Sequence, residues 1–248
     1  MTRFKKENKD IAEVMALFNK AIFDYHLIED GDKILIGLSG GKDSLALLEL
    51  MAKRSRIIKP SFTIEAAHVG IANIGYRTDT GYLESVCESY GVGFTYAETS
   101  YEMGTDPRKS PCFLCSWNRR KQLFTIAQEH GCNKIALGHH MDDIIETLYM
   151  NMMFQGAFST MPPILRMRKF PLAVIRPLCL IPERLLADMA ALRGFKPQDK
   201  SCPYEHSSHR AAIKGLLREM ERLNPEMRHN IWGSMTNVQA EMLPPKVK

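Results

Sequence analysis

The chain has 248 residues, 45% of them hydrophobic and 25% charged, with a formal net charge of +5 at pH 7. These are ordinary globular proportions, and they exclude a disordered, fibrous or repeat protein. Apolar runs such as 33–38 are too short to cross a bilayer and residues 1–9 lack the apolar core of a signal peptide, so a cytoplasmic protein with no membrane contact is expected.

Ile11, Val14, Leu17, Phe18, Ala21 and Ile22 recur at three- and four-residue spacing and predict an amphipathic helix over 10–26. Gly31-Asp32 then turns the chain into 33–38, a β-rich run suited to a buried parallel strand. Ser39-Gly40-Gly41-Lys42-Asp43-Ser44 follows, and Leu45, Leu47, Leu48, Leu50 and Met51 continue it as a helix. The alternation goes on with a strand at 62–69, a helix at 80–90 and a strand at 93–97. A polar stretch from 100 to 111 leads to Cys112; a helix is predicted from about residue 116 to 130, a strand at 134–138, a helix at 142–154 and a strand at 173–175. Repeated units of this kind imply an α/β fold, a parallel twisted sheet with helices on both faces and ligands beyond the carboxyl ends of the strands. Beyond Pro177 the pattern changes to a helix at 182–193, an irregular stretch at 197–209 and a helix at 210–222. The expected organisation is therefore an N-terminal helix (1–30), a main α/β domain (31–180) and a C-terminal helical extension (181–248) that carries Cys202.

The glycine loop carries the strongest chemical signal. Small residues between a strand and a helix point backbone N–H groups at one centre, and the helix N-terminus adds positive potential, so the place suits a phosphate or pyrophosphate. Ser39 and Ser44 offer hydroxyls and Lys42 a charge. The spacing departs from a Walker loop, because only three residues separate Gly37 from Gly41 and Lys42 is followed by Asp43. An acid at that point suits a Mg²⁺ ion beside the phosphates.

Cytosolic thiols stay reduced, so the six cysteines are read as core residues, metal ligands or redox groups rather than disulfides. The spacing Cys112-Phe113-Leu114-Cys115 lets two sulfurs reach one metal. Cys202 is the candidate third ligand, with His206 and His209 as further donors nearby in sequence; a redox dithiol and an inert pair are the alternatives. Gly138-His139-His140-Met141-Asp142-Asp143 closes a strand and opens a helix, where the two carboxylates would bind Mg²⁺, assist proton transfer, or merely cap the helix. Two basic clusters, Arg119-Arg120-Lys121 and Arg166, Arg168 and Lys169, fit a polyanion partner or a solvated charged face.

Taken in order, Leu38 to Ser44, Pro111 to Cys115 with Arg119-Arg120, Lys134 to His140, Asp142-Asp143-Ile144, Met161-Pro162-Pro163 and Ile175-Arg176-Pro177-Leu178 resemble the tRNA 2-thiocytidine synthetase (TtcA) family of PP-loop ATP pyrophosphatases. The resemblance covers most of the chain, with a weaker stretch from Ile213 to Val238. It implies an adenine nucleotide alpha-hydrolase-like fold and ATP-dependent thiolation of a tRNA base, with adenylation of the base oxygen, release of pyrophosphate and displacement of AMP by sulfur. It further implies ATP and Mg²⁺, with Ser39, Gly40, Gly41, Lys42, Asp43, Ser44, His68 and Gly138 at the nucleotide. The catalytic set it implies is Lys42, Asp43, Arg119, Asp142 and Asp143, and a [4Fe-4S] cluster would sit on Cys112, Cys115 and Cys202. Expected partners are tRNA and a sulfur donor such as a cysteine desulfurase, with a homodimer as the possible assembly. Two departures stand out: His68-Val69-Gly70-Ile71 replaces the usual acidic or polar residue after the second strand, and Cys202 is followed by Pro203-Tyr204-Glu205-His206 rather than by a second cysteine. Rival readings are a structural zinc site completed by His206 or His209, a nucleotide- or RNA-binding protein without turnover, and a related ligase that attaches an amine.

Overall fold

Ile34, Leu35 and Ile36 are all buried in β1 (Lys33–Gly37), as a run that is apolar on both faces must be when helices cover both sides of a sheet. β1 pairs in parallel with β2 (Thr63–Ile71) on one side and with β4 (Lys134–Ala136) on the other. β3 (Gly93–Thr99) extends the sheet beyond β2, and β6 (Ala173–Ile175) extends it beyond β4. β5 (Ile164–Arg166) closes the far edge antiparallel to β6, giving the order β3-β2-β1-β4-β6-β5. The sequence pattern leaves β5 unseen and predicts an all-parallel sheet; its three residues are half-buried or exposed and gain strand form only from pairing with β6. The structure, a computed structural model, describes residues 3–73, 78–101, 111–168, 170–196 and 209–245.

The chain runs outward from β1 through β2 to β3 and then returns to place β4 on the other side of β1. The crevice beyond the carboxyl ends of β1 and β4 is thus the topological switch point, where such sheets bind ligands. Right-handed crossovers put the helices made before and after that reversal on opposite faces. Accordingly α2 (Lys42–Ser55) packs with α3 (Thr80–Tyr90), α6 (Glu183–Arg193) and, through α6, α1 (Arg3–Asp24), while α4 (Pro111–Glu129) covers β1 to β4. Leu123, Ile126 and Ala127 of α4 fill the core against Leu35, Val69 and Ile135.

Two compact units emerge, residues 1–141 with 162–207 and residues 142–161 with 208–248. The first holds the whole sheet. The second contains α5 (Met141–Gln155) from Asp142 onward, α7 (His209–Leu223) and α8 (Met227–Ser234). Within it Arg210 reaches Asp143 at 3.5 Å and Glu146 at 3.4 Å, Arg228 pairs with Asp142 at 2.6 Å and also with Glu221, and Phe154 stacks on His209 at 4.5 Å.

Candidate active site

After β1 the chain must reverse sharply into α2, and Gly40 does so with a positive φ of 82°, a conformation open to glycine without strain. Gly41 caps the helix in extended form. The two serine hydroxyls are wound into the loop itself. Ser39 Oγ donates to Ser44 Oγ at 3.1 Å and accepts from Gly41 N at 3.3 Å, while Ser44 Oγ donates to the Gly41 carbonyl at 2.9 Å. Lys42 and Asp43 occupy the first two helical positions, whose N–H groups have no acceptor within a helix and present positive potential outward.

Lys42 Nζ lies 2.9 and 3.1 Å from the Asp43 carboxylate oxygens and 3.3 Å from Glu183 Oε1 at the start of α6. Burial opposes its charge, yet Asp43 and then Glu183 outweigh burial and hold the ammonium above the ordinary lysine range. Sequence reasoning missed Glu183, which lies 141 positions from Lys42 and has no motif around it. Only the packing of α6 on α2 brings it there.

A cavity of about 250 Å³ opens beside this loop, lined among others by Ser39, Asp43, His68, Arg119, Gly138 and His139. Gly138 lets the chain after β4 press onto the first turn of α2: a Cβ there would stand 3.1 Å from Ser44 N and 3.2 Å from the Asp43 carbonyl carbon. His68, only 3% exposed, donates from Nδ1 to the Leu38 carbonyl at 2.7 Å and stacks on Tyr96 with ring centroids 6.0 Å apart. Burial first, with the Arg119 charge adding to it, holds the imidazole below the usual histidine range against the pull of the Leu38 bond. The ring is therefore neutral at pH 7 and carries its proton on Nδ1, since a carbonyl can only accept.

Arg119 reaches the cavity from α4, and the start of that helix corrects a sequence expectation. Predicted to begin near residue 116, it begins at Pro111, a residue well suited to a first helical position. The Cys112–Cys115 pair therefore stands on the first turn of α4 and not in a loop. Three residues apart on a helix, the two side chains share a face. Cys112 is exposed, and Cys115 is half-buried and packs near Ile71 and Tyr101. Arg119 follows Cys115 by four residues, one turn further along the same face. The two described members of the expected three-cysteine seat thus fit a metal–sulfur group: two thiol side chains at the surface end of a helix whose next turn lines the cavity.

Asp142 and Asp143 open α5 in the second compact unit, paired with Arg228 and Arg210. His209 begins α7 in that unit, stacked on Phe154. Cys202 and His206 lie outside the described residues, and among the described residues no group of three or more His, Cys, Asp or Glu is arranged to hold a metal ion. Cys87, Cys132 and Cys179 are buried, and burial above all pushes their thiols up to about 12, 11 and 12, which makes them inert packing groups. No described helix is long and apolar enough to cross a membrane.

A sequence profile of the PP-loop domain matches residues 7–219. The chain is 34% identical over 230 residues to a tRNA-cytidine(32) 2-sulfurtransferase from Geobacter metallireducens, covering 90% of this chain and 89% of that protein. It is 37% identical over 239 residues to the protein of the same name from Polynucleobacter asymbioticus, covering 94% and 78%. Among solved structures it resembles the U34-tRNA thiolase NcsA from Methanococcus maripaludis with its [4Fe-4S] cluster, at a TM-score of 0.75 and 27% identity over 98% of this chain and 82% of that one.

Proposed function

This chain belongs to the PP-loop family of tRNA-cytidine 2-sulfurtransferases, and we propose that it is a tRNA sulfurtransferase that replaces the 2-oxygen of a cytidine by sulfur at the expense of ATP. The observation that carries this reading is the run of α4, on which the Cys112–Cys115 pair stands one turn from Arg119 in the wall of the nucleotide cavity. That arrangement supports a reaction in which a sulfur-bearing group meets an activated base.

The pyrimidine carbonyl has a poor leaving group, and adenylation corrects that. The cytidine O2 attacks the α-phosphorus of ATP and the bond to pyrophosphate breaks. Sulfide then bonds to C2, the C2–O bond breaks, and AMP leaves. Pyrophosphate is held at the 39–44 loop by the outward N–H groups of the first turn of α2 and by Lys42, which Asp43 and Glu183 release as phosphate arrives. Asp43 would hold a Mg²⁺ ion, which when bound would supply positive charge to the departing phosphates. Arg119 and His68 both line the cavity; in this reading Arg119 meets charge growing on the α-phosphate and His68 borders the nucleoside. Asp142 and Asp143 supply carboxylates for Mg²⁺ or for proton transfer in this reading. Cys112, Cys115 and Cys202 would hold the [4Fe-4S] cluster, which when bound supplies iron with a coordination position open to sulfide. The sulfide itself comes from a donor such as a cysteine desulfurase.

The test is thiolation of a tRNA transcript by anaerobically purified protein with ATP, Mg²⁺, reductant and sulfide, read as 2-thiocytidine by nucleoside mass spectrometry. Cys112→Ala should abolish thiolation while ATP binding persists. Normal thiolation by that variant sinks the mechanism, and stoichiometric zinc in place of iron and acid-labile sulfide sinks the cluster. ATP binding without pyrophosphate release, with every component present, would instead mark a binding protein that lacks turnover.

A further inference from the structure

Arg176 follows β6 directly, at the same carboxyl end of the sheet as the glycine loop, and it is 7% exposed. One of its nitrogens donates to the Pro162 carbonyl at 2.6 Å, while Nε is buried with no partner among the described residues. A guanidinium so deep is normally matched by a carboxylate, because an uncompensated buried charge is costly. No carboxylate pairs with it among the described residues. The charged neighbour it does have is Arg120, a second cation on the exposed side of α4. Burial first and Arg120 second pull Arg176 down to about 10, which leaves it charged at neutral pH. Cys179, close by, is a neutral thiol there and offers no balance.

We propose that Arg176 and Arg120 form a phosphate-binding site for a backbone phosphate of the RNA substrate. The site rests on the reading of this chain as a tRNA-modifying enzyme. Two guanidiniums near enough to repel, one of them buried with its Nε unpartnered, are stabilised by an anion between them, and phosphodiester oxygens match their planar donors. Arg120 uses Nε for the Ser116 carbonyl at 3.2 Å, which fixes the arm and leaves its terminal nitrogens for a ligand.

Strand order decides between the two sources of phosphate. The cavity is bounded by the segments after β1 and β4, by residues 67–69 of β2 and by α4, so a nucleotide anchored at the 39–44 loop extends toward β2. Arg176 follows β6, on the far side of β4 from that direction, and does not line the cavity. Its anion therefore comes from the second substrate.

The experiment measures binding of unmodified tRNA to the full-length protein without ATP, by fluorescence anisotropy across a range of salt, beside binding of a non-hydrolysable ATP analogue. Arg176→Met should weaken tRNA binding about tenfold and reduce the log–log salt slope by about one, the signature of one lost phosphate contact, with the analogue bound as before. Because Arg176 is buried, Arg120→Ser at the exposed partner is the second variant, and the same reduction in slope is expected. Unchanged tRNA affinity in Arg120→Ser, or in a folded Arg176→Met, overturns the site. An equal loss of analogue affinity overturns it too, by assigning the anion to the nucleotide. Wild-type protein that binds tRNA with the full slope yet yields no 2-thiocytidine would refute the thiolation reading and leave this site standing.

Discussion

A methyl group on Gly138 would meet backbone on three counts, Ser44 N at 3.1 Å and the Asp43 carbonyl carbon and oxygen at 3.2 and 3.3 Å, and none of these atoms can swing aside. Gly138→Ala should therefore push the first turn of α2 off its place, lowering stability by about 1–3 kcal/mol and pyrophosphate release by far more than that loss alone would explain. Thermal unfolding and an ATP–pyrophosphate exchange assay check the two effects. Asp43→Ala, at a half-buried position, should leave the fold intact and cut adenylation on the order of a hundredfold. His68 gives a pH effect with a definite sign. Its folded pKa is depressed, so the unfolded chain binds the extra proton first; the stability that neutral His68 contributes is complete above about 6.5 and lost as pH falls below it. Urea titrations at pH 7.5 and 5.5 should show a smaller difference in His68→Asn than in the wild type.

Glu49 in α2 does for the elements what Gly138 does for the loop. It is 1% exposed; Arg193 of α6 donates to both of its oxygens at 2.9 and 3.0 Å, and Lys53 and the Tyr90 hydroxyl complete its bonds. Burial would raise its pKa, but Arg193 and Lys53 together hold it below the usual range, so its contribution is present above about pH 4.3 and lost as pH falls through the lower folded value. Glu49→Ala should cost about 2–3 kcal/mol at pH 7, less than a fully buried pair because Arg193 and Lys53 keep some solvent, and the deficit should shrink in acid. Much of this element scale was legible in the sequence. Three consecutive buried residues announced β1, and α3 and β6 fall within their predicted limits. β5 was not legible, since three partly exposed residues carry no period and become a strand only beside β6. The early start of α4 was hidden because a Pro followed by Cys-x-x-Cys reads as a loop until the helix behind it is seen. At the candidate site, motifs announced Lys42 and Gly138, whereas Glu183 enters only through tertiary packing; away from the cavity, the motif that holds Arg176 gave no sign of its burial or of its neighbours.

At the scale of the whole molecule the two compact units differ in how much they bury. In the second, α7 buries only Ile213 and Leu217 and α8 only Met227, against the continuous core beneath α4 in the first. Amide exchange should therefore be faster throughout α7 and α8 than in β1 and β4, and equal protection would contradict this reading. The second unit also carries its own pH dependence. Burial raises the Glu146 carboxyl to about 7 against the pull of Arg210, so its favourable contribution is complete below about pH 4.3 and disappears as pH rises through 7. Glu146→Gln should flatten the loss of thermal stability between about pH 5 and pH 7. In the first unit, α4 acts as a phased shaft that carries the thiol pair at one end and, one turn on, a guanidinium in the wall of the cavity. One residue inserted between Cys115 and Arg119 would rotate the pair by about 100° while lengthening the shaft by only about 1.5 Å. The surface loops tolerate indels of that size, but this spacing is inelastic in angle, and a variant so altered would hold both chemistries and lose their meeting.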